Sequence, residues 1–220
     1  MRSPSERETE WNWPVPPANR VSGLLLQAPS QLQRQAGDRA RWMLVVGPRS
    51  LNTALLTAIA RLGEGGPVRV LDGGNRFNAY VVARAARGRP EVLNRITVSR
   101  AFTCYQVLSL LESTPTLQAA SDPPIRNTNR PAPLRLVALD LLNTFYDESV
   151  QAGERMRLLQ ACILHLERLA GAGGNALSVH PPAVASQAAT DLLEMLQRSP
   201  AVEPYFIQPE APAPEPPRLF

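Results

Sequence analysis

The sequence predicts an α/β fold in which a largely parallel, five-stranded sheet lies between two layers of helices. Five short apolar segments alternate with segments whose apolar residues recur at helical spacing, and this alternation is typical of parallel sheets covered on both faces. The 22 prolines concentrate at the two ends and around residues 115–133. We therefore expect an N-terminal tail with a candidate short helix (1–36), one domain (37–198) and a proline-rich, disordered tail (199–220).

Three strand–helix units are predicted in the first half of the domain. Trp42–Gly47 is a continuous apolar run that ends in Gly-Pro, as expected of a strand buried on both faces. Apolar residues at 3.6-residue spacing then predict a helix over Ser50–Leu62. The next two units have strands at Val68–Asp72 and Ile96–Ser99, and helices over about 77–88 and Thr103–Glu112.

Two further units follow a polar, proline-containing loop at 115–133. Their strands are predicted at Leu134–Asp140 and Ala176–Val179, and their helices at Gly153–Ala170 and Ala185–Gln197. Because ligands bind at the carboxyl ends of the strands in such sheets, functional residues should follow the strands.

Composition excludes several kinds of chemistry. All 23 basic residues are arginine, so Schiff-base lysines, lysine general bases and the phosphate-binding lysine of a P-loop are ruled out. Cys104 and Cys162 fall in apolar helical patterns without metal-ligand spacing, which predicts buried, reduced thiols and no metal site. The N-terminus has no apolar signal segment, and no apolar run is long enough to span a membrane, so a cytoplasmic protein without membrane contact is expected.

Several segments, in order and spacing, resemble the RecA/RadA recombinase core, including its paralogues, over about residues 40–182. Leu71–Phe77 looks like the family's strand-end Asp-Thr-Glu-Gly-Thr-Phe segment, and Arg100–Gln106 is similar to its Ala-Arg-Ala-Phe-Asn-x-x-x-Gln segment. Leu136–Asp140 resembles the Walker B strand, and the helix ending at His165–Ala170 resembles the family's Leu-Arg-Leu-Ala helix. The resemblance implies a RecA-like P-loop NTPase fold with an ATP site.

Two departures from the family pattern predict that this site does not hydrolyse ATP. In the segment Gly47–Thr53, Leu51 replaces the second P-loop glycine and Asn52 replaces the lysine, while Thr53 is retained. Gly74 stands where the family has its catalytic glutamate. We thus expect a degenerate P-loop, a pseudo-ATPase without catalytic residues, and no cofactor, with ATP and magnesium as the alternative. The degenerate site comprises Gly47, Arg49, Asn52, Thr53, Asp72, Gly74, Asp140 and His180.

Two of these residues have alternative roles. Asp140 is either a Walker B aspartate or a strand-end aspartate that caps the following turn. His180 lies near the family's nucleotide-sensing glutamine, but a strand-end histidine with a structural hydrogen bond is the alternative. Nucleotide binding without hydrolysis stays open at this stage.

Filament-style DNA binding is not predicted, because the loop at Tyr146–Arg157 is short and acidic and Pro181-Pro182 replaces the second DNA-binding loop. A separate basic set could contact phosphates or form a solvated helix face: Arg84, Arg87, Arg89, Arg126 and Arg130. The candidate docking residues lie in the two tails: Trp11, Trp13, Tyr205 and Phe206.

Three functions remain open from the sequence. The first is an accessory subunit of DNA recombination or repair, similar to the ATPase-deficient, Shu-type paralogues, which docks on a recombinase, another RecA-fold subunit or a small zinc-binding protein. The second is a nucleotide-binding ATPase that uses Arg49, Thr53 and Asp140 in an unusual way. The third is a RecA-like scaffold unrelated to DNA.

Overall fold

A computed structural model describes residues 41–115, 134–170, 175–182, 184 and 186–206. Its strands are β1 (Trp42–Val46), β2 (Val68–Asp72), β3 (Ile96–Arg100), β4 (Arg135–Leu139), β5 (Ala176–Val179) and β6 (Val202–Phe206). Its helices are α1 (Asn52–Glu64), α2 (Ala79–Ala85), α3 (Cys104–Ser113), α4 (Ala152–Ala170) and α5 (Gln187–Gln197). Short 3-10 turns lie at Arg49–Leu51, Pro90–Arg95 and Asn143–Tyr146.

All six strands belong to one sheet, in the order β3-β2-β4-β5-β1-β6. Each neighbouring pair is parallel. The predicted α/β architecture with a parallel sheet is therefore confirmed. The carboxyl ends of β2, β4, β5 and β1 meet at one edge, which is the edge where ligands are expected.

The sheet separates two hydrophobic cores. Alternate residues of β1 point to opposite faces, because successive side chains of a strand do so. Trp42 and Leu44 pack with α3, α4 and α5, whereas Met43 and Val45 pack with α1 and α2. The indole Nε1 of Trp42 donates to the Leu166 carbonyl at 2.9 Å, which ties α4 to the centre of the sheet. The result is three layers.

Helix starts follow local capping rather than apolar periodicity. Asn78 accepts hydrogen bonds from the backbone of Tyr80 and Val81, so α2 begins at Ala79 instead of near residue 77. The same helix ends at Ala85, and Gly88 adopts a φ of 82° in the turn that follows. The predicted helix over 77–88 is thus too long at both ends.

The sixth strand corrects the prediction of five strands and of a disordered segment beyond residue 198. β6 pairs with β1 along its whole length, and Val202 is buried. The Trp42 amide donates to the Ala201 carbonyl at 2.7 Å at the start of this pairing. Pro204 obscured the signal, since proline disfavours strands except at sheet edges, and β6 is an edge strand.

Both cysteines are free and buried, as predicted. Burial raises the pKa of the Cys162 thiol to about 12, so this thiol stays protonated and unreactive. Within the described part of the chain, no helix is long and apolar enough to cross a membrane.

Candidate functional site

Two buried aspartates lie side by side at the carboxyl edge of the sheet. Asp72 ends β2 and Asp140 follows β4, the strand that pairs with β2, and both are fully buried. Asp140 has a φ of 49°, a left-handed conformation that is uncommon for residues other than glycine. Buried carboxylates need charge partners, because an unpaired buried charge is costly.

Arg76 supplies the charge partner of Asp140. Its Nε donates to Asp140 Oδ2 at 2.8 Å, and its terminal nitrogen donates to Asn143 Oδ1 at 3.2 Å. Its backbone amide donates to Asp72 Oδ1 at 2.7 Å. Arg76 is therefore held by both aspartates, and its guanidinium lies directly against Asp140.

Asp72 is satisfied by a second arginine and by the turn that follows it. Its Oδ2 accepts from the Phe77 amide and from the Nε of Arg100, each at 3.0 Å. A further bond from Arg100 to the Phe77 carbonyl, at 3.3 Å, closes the turn against β3. Asp72 therefore shapes the 72–77 turn and leaves neither carboxylate oxygen without a donor.

Sequence reasoning missed the role of Arg76. The resembling segment of the recombinases has threonine at this position. An arginine there, close to the two expected carboxylates, was a signal in the sequence that an ion pair could form. The distance from Arg76 to Asp140, 64 positions along the chain, hid the ion pair, because only the β2–β4 pairing joins them.

Gly74 has no room for a side chain. A Cβ atom there would lie 2.5 Å from the Cβ of Asp140 and 2.6 Å from its Oδ2. Neighbouring Gly73 also approaches the backbone that follows β4, since a Cβ there would lie 3.2 Å from the Asp140 carbonyl oxygen. Glycine at 74 is thus required by the close passage of the 72–77 turn over Asp140.

The connection between β1 and α1 is short. Only Gly47–Leu51 join the two elements, and the last three of these residues form a 3-10 turn. Pro48 contributes no amide proton, and the Leu51 amide is already bonded to the Pro48 carbonyl at 3.1 Å. Few backbone N–H groups of this segment are therefore free to surround a phosphate.

Asn52, at the expected lysine position, points into the site, whereas Arg49 and Thr53 do not contribute to it. The Asn52 Nδ2 donates to the Arg76 carbonyl at 2.9 Å, which links the start of α1 to the 72–77 turn. Arg49 and Thr53 are exposed, and neither side chain has a hydrogen bond or ion pair to Asp140 in the described residues.

His180 follows β5 and lies beside the carboxyl end of β1. Its backbone amide donates to Asp140 Oδ1 at 3.0 Å, and its Nδ1 lies 2.9 Å from the Gly47 carbonyl. Because a carbonyl only accepts, Nδ1 carries a proton in this contact. Nε2 is buried without a partner among the described residues. This geometry is that of a strand-end histidine with structural hydrogen bonds.

Tyr146 is partly buried against the core on the face of the sheet that α3, α4 and α5 cover. Burial and the charge of Asp140 raise the pKa of its phenol, so the group is neutral at physiological pH. Its hydroxyl and Asn52 Oδ1 are, like His180 Nε2, buried without a partner in the described structure.

The other predicted residues lie elsewhere. Arg84 and Arg87 are exposed on and just after α2, and Arg89 forms an ion pair with Glu64 at 2.6 Å. Tyr205 and Phe206 belong to β6, so their backbone is part of the sheet rather than of a free tail. Trp11, Trp13, Arg126 and Arg130 lie outside the described residues.

The described ranges contain no group of three or more histidine, cysteine, aspartate or glutamate side chains that could hold a metal ion. No protein-family model matches this chain, and no curated protein is significantly similar to it.

The contact at Gly74 predicts a specific steric effect. Gly74→Ala should destabilise the fold by about 1–3 kcal/mol, because the new methyl group overlaps Asp140 and forces the turn to move. Gly153→Ala is the matched control: a Cβ there meets nothing within 4 Å, and alanine favours the helix, so stability should be unchanged or rise by up to about 1 kcal/mol. Urea unfolding of both variants measures the difference. Equal stability of the two variants would contradict the packing described here.

Removal of the Arg76 guanidinium should leave Asp140 as an uncompensated buried charge. We expect Arg76→Met to lower the free energy of unfolding by about 2–4 kcal/mol, and Arg76→Met/Asp140→Asn to recover a substantial part of that loss. Arg157→Met, which breaks an exposed pair with Glu154, should leave the stability nearly unchanged. Strictly additive single effects would show that the two side chains do not interact.

Proposed function

We propose that this chain is a RecA-like pseudo-ATPase that serves as an accessory protein in DNA recombination or repair, and that it acts by docking on other proteins. The ion pair between Arg76 and Asp140 supports the pseudo-ATPase part of this proposal. The part that concerns DNA recombination or repair rests on the resemblance of residues 40–182 to the recombinase core. The same pair argues against the ATPase alternative, in which Asp140 works together with Arg49 and Thr53.

A magnesium ion does not fit the site with its present contacts. In an active relative, the Walker B aspartate holds the hydration shell of the magnesium ion. Here the Asp140 oxygens are taken by the Arg76 guanidinium and the His180 amide, at 2.8 and 3.0 Å. A divalent cation would have to displace Arg76, since two cations beside one carboxylate repel each other.

The attacking water also lacks a base. In the resembling recombinase segment a catalytic glutamate stands at the position of Gly74, and here a Cβ at 74 would lie 2.5 Å from the Cβ of Asp140. A glutamate at position 74 would therefore require the turn or the Asp140 side chain to move, because the Asp140 side chain fills the space that its Cβ would need.

The segment that would bind the phosphates of ATP is the third feature that argues against turnover. Glycines allow the backbone of a P-loop to wrap phosphates, and its lysine neutralises them. The Gly47–Leu51 connection is short and contains Pro48, and the Asn52 side chain is bonded to the Arg76 carbonyl. These three features meet in one network around Arg76 and Asp140, and together they favour a protein whose sheet edge is structural.

The first test is nucleotide binding and turnover. We expect the full-length protein to show no magnesium-dependent ATP hydrolysis above that of a matched Asp140→Asn preparation, and no saturable heat of ATP binding by calorimetry. The reason is that Asp140 is already neutralised by Arg76. Turnover that requires magnesium and disappears in Asp140→Ala would overturn the pseudo-ATPase assignment and favour the ATPase alternative.

The second test concerns the partner. The tagged protein, purified from its native cells after nuclease treatment, should retain a recombinase, another RecA-fold subunit or a small zinc-binding protein. If the N-terminal segment is the docking peptide, Trp11→Ala/Trp13→Ala should abolish this retention, since two aromatic anchors would be lost. Recovery of only partners without a link to DNA would favour a scaffold with another role.

A further inference from the structure

Charge is distributed unequally between the two halves of the chain. Residues 41–100 contain ten arginines and only three acidic residues, Glu64, Asp72 and Glu91. The described residues from 101 onward contain five arginines and nine acidic residues. The formal net charge of +4 conceals this asymmetry.

The fold converts this asymmetry along the chain into two different faces. The helices α1 and α2 pack together on one side of the sheet, and α3, α4 and α5 pack on the other. The first layer carries the exposed residues Arg49, Arg61, Arg84 and Arg87. The exposed acidic residues of the opposite layer are Glu112, Asp147, Glu148, Glu167, Asp191 and Glu194.

The arginines of the two layers also differ in their partners. On the acidic layer, Arg157 and Arg198 pair with Glu154 and Glu194, each at 2.7 Å, and Arg168 donates to carbonyls at the C-terminal end of α3. On the basic layer, Arg89 is paired with Glu64. Arg61, Arg84 and Arg87, by contrast, form no ion pair with any described residue, so their charges are available to an external anion.

An exposed aromatic ring lies on the same layer. Tyr80 is 74% exposed in the first turn of α2, one helical turn before Arg84. The amide of Arg87 donates to the Arg84 carbonyl at 3.3 Å, so the chain makes one more turn after α2 and Arg87 lies near Arg84. Tyr80, Arg84 and Arg87 thus follow one another along one side of α2, and Arg61 lies near the end of the adjacent α1.

We propose that the outer face of α1 and α2 binds the backbone of single-stranded nucleic acid, with Arg61, Arg84 and Arg87 on phosphates and Tyr80 stacked on a base. Arginine binds phosphates through paired hydrogen bonds, and aromatic rings stack on bases of any sequence. The basic layer offers phosphate-binding arginines and a stacking ring together. An acidic protein partner would use the arginines but would not need the exposed ring. The choice of DNA as the strand rests on the proposed function.

The test is fluorescence anisotropy of the full-length protein with a labelled 20-nucleotide oligo-dT, between 50 and 200 mM salt. Each phosphate contact on a single strand contributes about −0.7 to the slope of log K against log salt, so the Arg84→Ala/Arg87→Ala variant should lose about 1.4 from the magnitude of this slope and about tenfold in affinity. Tyr80→Ala should weaken binding at every salt concentration with the same slope, and Tyr80→Phe should restore it.

The matched control is Arg157→Ala/Arg198→Ala, which removes two exposed arginines from the acidic layer and should leave the affinity unchanged. An unchanged affinity of Arg84→Ala/Arg87→Ala, an equal loss in the control, or equal affinity for a duplex of the same length would overturn the proposal. Binding to anionic vesicles but not to oligo-dT, or salt-sensitive self-association through the two faces, would also overturn it. None of these results depends on nucleotide turnover, so the pseudo-ATPase assignment stands or falls separately.

Discussion

The ion pair between Arg76 and Asp140 is the interaction on which the carboxyl edge of the sheet depends. Two aspartates end up fully buried there because β2 and β4 are neighbours, and without cations their charges would oppose folding. Arg76 and Arg100 remove this conflict by pairing with one aspartate each. The same contacts fix the 72–77 turn, which explains why Gly74 must remain glycine.

The cation beside Asp140 is supplied from within the chain, by the Arg76 guanidinium. A site that holds magnesium needs carboxylate oxygens open to solvent, whereas a site neutralised by arginine is complete when the chain folds. Asn52 and His180 extend the closed network toward α1 and β1 through their bonds to the Arg76 and Gly47 carbonyls. An edge of this kind is suited to stability rather than to ligand exchange, and function is then expected on the outer surfaces.

The two outer surfaces of the protein, one on each side of the sheet, differ in charge. The sheet carries helices on both faces, and the chain assigns its first two helices to one face and its later helices to the other. A charge imbalance along the sequence therefore becomes a charge imbalance in space. Among the described residues, Arg61, Arg84 and Arg87 of the first layer form no ion pair, whereas Arg157 and Arg198 of the second layer pair with nearby glutamates.

The sequence by itself determined the alternation of elements. Strands at 68–72 and 176–179 have the predicted bounds, because each is a short, mostly apolar segment rich in β-branched and aliphatic residues, flanked by turn or polar residues. The buried state of Cys104 and Cys162 followed from the same periodicity. Local patterns of this kind depend only on neighbours in the chain.

The tertiary structure decided what depends on distant residues. β6 was missed because its proline suits only an edge strand, and the edge exists only once β1 is placed. The departures of Asn52 and Gly74 from the segments that resemble the recombinases were visible in the sequence. Three other features were not visible in the sequence, because only the strand order brings distant positions together. These are the ion pair of Arg76 with Asp140, the close approach of Gly74 to the same aspartate, and the placement of the arginines of α1 and α2 on one layer.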